Sequence, residues 1–139
     1  MIDLITDRTE SDVLMGNAKG IYSFTDLNRV EKAVRLASEQ AATVGFPLNL
    51  QTKTNWGLPG EFSVGEWPVQ SQMKRYLNNL AILKNTFRVT IEIPLSMEKL
   101  TWKGANNIEK VLEISMSRIS GIKQAYRYSG EIFAGEEIL

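Results

Sequence analysis

The apolar residues of this chain recur at spacings of three and four along three long stretches. In the first, Leu27, Val30, Val34, Ala37, Ala41 and Val44 share one face. In the second the series is Met73, Tyr76, Leu80, Leu83 and Phe87, widened by Leu77. In the third it is Ala105, Ile108, Leu112, Ser115, Ile119, Ile122 and Tyr126, with Ser115 interrupting the apolar run. A three–four alternation is the seam of helices that pack at a shallow angle. The pattern predicts a mainly α fold, an antiparallel three-helix bundle with helices over about 26–44, 68–87 and 101–126. Leu27, Val30, Val34, Leu77, Leu80, Leu83, Ile108, Leu112 and Ile119 are its expected core.

The helix ends carry their own signals. Ser23 or Thr25 can cap the first long helix, and Gly45 followed by Pro47 stops it. Pro68 suits the first turn of the second. Thr101 caps the third, with Trp102 just inside. Ahead of all three, Thr9-Glu10-Ser11-Asp12 has the form of a cap with acids in the first turn. A short helix from about Glu10 to Met15 is expected there, ended by Gly16 or Asn17. Glu31 and Arg35 are spaced to pair along a helix flank. Gly121 weakens the third helix by up to ~1 kcal/mol relative to Ala, a cost that close approach of a partner helix can offset.

Between the helices the period changes to two. Leu48, Leu50, Thr52, Thr54 and Trp56 alternate, as do Phe87, Val89, Ile91 and Ile93, so a short two-stranded β pair is expected within long irregular connections. The connection over 46–67 holds Trp56, Phe62 and Trp67. They read either as plugs for the end of the bundle or as a contact surface. After the third helix, Gly130 and Gly135 argue against further helix, while Ile132 and Phe133 are too apolar for a plain solvated end. The chain thus divides into a helical domain over 1–127 and an extended C-terminal docking tail over 128–139. Tyr128, Gly130, Glu131, Ile132, Phe133, Gly135 and Glu136 are the expected protein-contact residues of the tail, with Trp56 as a further contact.

One stretch is used twice. Phe24-Thr25-Asp26-Leu27-Asn28-Arg29-Val30-Glu31-Lys32-Ala33-Val34 returns as Trp102-Lys103-Gly104-Ala105-Asn106-Asn107-Ile108-Glu109-Lys110-Val111-Leu112. Such self-similarity marks a helical unit used more than once. It sets Asn28 against Asn106 and Glu31 against Glu109. Two carboxylates at matching places raise the thought of an enzyme, but a di-iron bundle wants Glu-x-x-His ligands, and the chain has no His. Glu31 and Glu109 therefore read as a solvated flank or an inter-helix hydrogen-bond network.

Composition narrows the chemistry further. Lys+Arg and Asp+Glu both number 16, without the basic excess of a nucleic-acid binder or the polybasic patch of a membrane-surface protein. There is no Cys, hence no thiolate chemistry. No metal and no cofactor is implied, and catalysis is not expected. No apolar run approaches the ~20 residues of a membrane span, and the acidic, polar start is unlike a signal peptide. Gly57-Leu58-Pro59-Gly60 lacks the Gly-Lys-Ser/Thr ending of a phosphate loop. Trp56, Trp67 and Trp102 could form a sugar-stacking platform, which leaves a carbohydrate- or receptor-binding module over 46–67 as the alternative function.

Five motifs in order carry a family resemblance. They are Ile5-Thr6-Asp7-Arg8-Thr9; Tyr22 with Thr25-Asp26-Leu27-Asn28-Arg29-Val30-Glu31; Thr52-Lys53-Thr54-Asn55-Trp56; Leu100-Thr101-Trp102 with Ala105-Asn106-Asn107-Ile108-Glu109-Lys110; and Tyr128-Ser129-Gly130-Glu131-Ile132-Phe133-Ala134-Gly135-Glu136. Together, across nearly the whole chain, they resemble small virion proteins encoded among the tail and baseplate genes of phages and prophages of Gram-positive bacteria. That family often has an acidic residue where Gly104 stands, which would complete a capping box. Family relatives can continue past the final motif, whereas this chain stops there, which favours an adaptor over a receptor-binding role. The resemblance implies a non-enzymatic structural component that contacts other virion proteins in several copies. It would be a homo-oligomer or multi-copy assembly, assembled in the host bacterial cytoplasm into a virion or phage-tail-like particle, without nucleic acid or membrane as partner.

Overall fold

The computed structural model describes residues 3–57 and 69–136, the stretch 126–136 by backbone alone. It is mainly helical: α1 (Glu10–Met15), α2 (Phe24–Thr43), α3 (Gln70–Thr86) and α4 (Trp102–Glu136). Each of α2, α3 and α4 touches the other two. The expected seams are where they meet. Val30, Leu80, Leu83, Ile108 and Leu112 are fully buried, with Leu27, Val34, Leu77 and Ile119 nearly so. Small residues let the helices approach, since Ala33, Ala37 and Ala41 of α2 are also buried.

The caps follow from local chemistry. Thr9 N–H donates to Asp12 Oδ2 at 2.9 Å and Asp12 N–H donates back to Thr9 Oγ1 at 3.2 Å. This reciprocal box satisfies orphan donors of the first turn. Gly16 ends α1 at φ 66°. Ser23 begins α2, its N–H donating to Asp26 Oδ2 at 2.7 Å. Thr101 Oγ1 accepts from Gly104 N–H at 3.0 Å. A side chain at Gly104 would be crowded. A Cβ there would stand 3.0 Å from Pro94 Cγ and 3.2 Å from a Leu100 methyl, because the connection before α4 folds against its first turn.

Four expectations need correction. No strand forms among the described residues, so the β pair is absent. The 48–56 and 87–93 stretches instead use their alternation to pack on helices: Leu48, Leu50, Ile91 and Ile93 are half-buried against the core. Backbone groups of Gln51, Trp56, Phe87 and Arg88 are met by helix side chains, as with Arg118 on the carbonyls of Phe87 and Arg88. Two isolated strands would have been marginal in any case.

Second, α4 does not end near Tyr126 and the tail is not extended over 128–136; the helix continues to Glu136, with no backbone break at the expected domain boundary. Each Gly costs ~1 kcal/mol at most, while lengthening an existing helix gains a hydrogen bond per residue without a new nucleus. Residues 137–139 lie outside the described residues, as do Pro68 and the chain start. Third, Gly121 makes no close approach, since a Cβ there would meet nothing within 4 Å. Fourth, Glu31 turns inward to Arg75 instead of along the flank to Arg35.

Candidate interaction site

The repeated stretch builds two matching clamps. On a helix, residues three apart share a face, so Asn28 and Glu31 of α2 point together, as do Asn106 and Glu109 of α4. Asn28 Oδ1 accepts from Trp56 N–H at 2.6 Å, and its Nδ2 donates to Trp56 C=O at 2.9 Å. The amide thus replaces the neighbouring strand that Trp56 lacks. Glu31 Oε2 accepts from the indole Nε1–H of the same residue at 2.6 Å. Arg75 of α3 then closes on Glu31, donating to Oε1 at 2.8 Å and Oε2 at 2.7 Å. Arg75 and Asn79 also donate to the Gln51 carbonyl, at 2.8 and 2.7 Å.

The α4 clamp repeats this on another segment. Asn106 Oδ1 accepts from Arg8 N–H at 3.0 Å and Nδ2 donates to Arg8 C=O at 3.0 Å. Glu109 Oε2 accepts from the Arg8 guanidinium at 2.7 Å, and Oε1 accepts from Ile5 N–H at 3.0 Å. Arg29 of α2 closes on Glu109, at 2.7 Å to Oε1 and 2.8 Å to Oε2. In both clamps an Asn pairs with one residue's backbone, a Glu takes that residue's side chain, and an arginine from another helix completes the Glu. The gripped residues are matched in sequence too: Thr54-Asn55-Trp56 in one clamp, Thr6-Asp7-Arg8 in the other.

The α4 clamp is the more highly charged. Asp26 accepts from both Arg8 and Arg29, so two arginines face two carboxylates. Arg8, Asp26 and Glu109 are all buried. Burial works against the charge of Arg29, but hydrogen bonds to Glu109 and Asp26 outweigh it and hold its proton more tightly than usual. The Arg8 guanidinium lies 5.6 Å from the centre of the Tyr22 ring, and the Tyr22 hydroxyl bonds that of Tyr76. Burial raises both phenol pKa values above their ordinary value. Glu31 and Glu109 take arginine donors on both oxygens, which suits them to latching and not to proton transfer. Among the described residues no group of three or more His, Cys, Asp or Glu side chains is placed to hold a metal ion.

Trp56, expected as a contact residue or sugar platform, is instead 1% exposed and belongs to the α2 clamp. Its ring has no face open to a sugar. Trp102 is half-buried, while Phe62 and Trp67 lie outside the described residues. Tyr128, Gly130, Glu131, Ile132, Phe133, Gly135 and Glu136 all fall on the last turns of the α4 backbone, and their side chains lie outside the described residues. The gripped Arg8 and the closing Arg29 and Arg75 were not legible as a site. Arg8 and Arg29 lay within the motifs of the resemblance, and Thr6-Asp7-Arg8 is like Thr54-Asn55-Trp56, but neither signal paired them with Glu109. Comparison with protein-family models, with curated proteins and with solved structures found no match. Among the described residues no helix is long and apolar enough to cross a membrane.

Proposed function

We propose that this chain is a non-enzymatic structural adaptor of a phage tail, baseplate or phage-tail-like particle, working in several copies through contacts with other virion proteins. In this reading α2, α3 and α4 form an antiparallel bundle that serves as a rigid body. The end of α4, with Tyr128, Ile132 and Phe133, is the docking element. One observation carries the reading. Among the described side chains of α4, Ile122 is half-buried and Lys123, Gln124 and Ala125 after it are exposed, and the helix backbone continues to Glu136. At 1.5 Å per residue α4 is about 50 Å long against about 30 Å for α2, so it outruns its partners. A helix longer than its partners that carries Tyr128, Ile132 and Phe133 in its last turns is suited to another protein's surface.

The test is a chain lacking residues 128–139, assayed for joining sedimenting particles. The expected result is unchanged melting temperature with loss of particle association. Normal association of the shortened chain, or a much lower melting temperature, would remove the docking role.

A further inference from the structure

The two clamps grip matched residues in a different chain order. The α2 clamp takes a segment that follows its helix, Trp56 lying 28 positions after Asn28. The α4 clamp takes a segment that precedes it, Arg8 lying 98 positions before Asn106. If the order of the first clamp were kept, the second would hold a segment lying beyond α4. We propose that the α4 clamp also accepts the 4–8 segment of a second copy of this chain, so that copies join head to tail, each α4 clamp filled by the next copy's Arg8. This rests on the multi-copy reading above and names its contact.

Three observations carry it. Every hydrogen bond from the clamp to the gripped segment is made to backbone groups and to the Arg8 guanidinium, which a second copy presents identically. An empty clamp leaves Asp26 and Glu109 facing Arg29 alone, one cation for two carboxylates, so it selects a cationic segment; the Trp56 segment would not balance it. The gripped segment can also leave as a unit. Arg8 Nε donates to the Lys19 carbonyl at 3.1 Å and Lys19 pairs with Asp7 at 2.9 Å, so these contacts travel with it. Between them, α1 has no buried residue, with Leu14 and Met15 80% and 74% exposed. The hinge falls between Ile21 and Tyr22, because Gly20 and Ile21 bond back to Asn17 while Tyr22 and Ser23 are held by Tyr76 and Asp26. Exchange of an identical element is a low-cost route to association, and a head-to-tail contact closes into rings or runs on as filaments. At low concentration the chain's own segment wins, because its effective concentration is on the order of millimolar.

Two full-length variants separate segment from clamp. Asn106→Ala/Glu109→Gln keeps the segment and breaks the clamp, whereas Arg8→Ala keeps the clamp and breaks the segment. Each alone is expected to sediment as a monomer, and their mixture as a 1:1 complex of about twice the mass. A mixture that stays monomeric overturns the proposal, as does either variant forming the same complex alone. Should either variant fail to fold, the unsubstituted chain decides. Refolding at about 1 mM should leave oligomers that refolding at about 1 µM does not, and monomers in both sink the idea. Only purified protein is used, so failure here removes the exchange without touching particle membership, which co-sedimentation reads.

Discussion

Glu109 stands at the centre of the α4 clamp. It accepts four hydrogen bonds, from Ile5, Arg8 and Arg29, at 0% exposure. Glu109→Gln keeps the shape but withdraws the charge from two arginines, one of them buried. Breaking one partner of a buried ionic group typically costs ~3–5 kcal/mol, and a urea titration should show a loss of that size. Ser115 makes the opposite case. Its Oγ is buried without a hydrogen-bond partner, so Ser115→Ala removes a desolvated hydroxyl and should leave stability unchanged or slightly raised. The glycines divide in the same way. Gly121→Ala meets open space in a helix and should raise stability by ~0.5–1 kcal/mol. Gly57 sits at φ 73° with the Phe24 ring where a Cβ would go, 2.3 Å from its nearest atom. Gly57→Ala should therefore destabilise by more than ~1 kcal/mol, and parallel urea titrations of the two variants should shift in opposite directions.

At the scale of elements, the seams of α2, α3 and α4 were legible because spacings of three and four report a helix with one buried face. Leu112→Ala, at the centre of that seam, should lower stability by ~2–5 kcal/mol in a thermal melt. The capping box of α1 was equally legible, since both partners lie within one turn. The β pair was misread for a physical reason. Alternation shows that an extended segment has one buried face, but not whether its backbone is met by another strand or by the amide of Asn28. The clamps were half legible. The repeat set Asn28 against Asn106 and Glu31 against Glu109, but their partners stand 25 to 104 positions away, and no local pattern specifies such distances. The length of α4 was misjudged because two glycines weaken a helix without stopping it.

For the molecule as a whole, the tyrosine pair predicts how stability depends on pH. Tyr22 and Tyr76 hold their protons more tightly folded than unfolded, chiefly through burial. Their contribution is complete below the unfolded value of ~10 and is lost as pH rises through the higher folded values. Urea midpoints should therefore fall from pH 10 upward, and these two of the four tyrosines should show phenolate absorbance only as the chain unfolds. The clamp on Arg8 has a consequence for synthesis as well. Arg8 and Glu109 are 101 positions apart, and at ~5–20 residues per second the ribosome delivers the acceptor about 5–20 s after the donor. Through that interval the nascent chain can pair α2 with the Trp56 segment and Arg8 with Asp26, but the bonds of Arg8 to Asn106 and Glu109 must wait. The native state is then completed from its two ends, and closure waits until translation has passed Glu109.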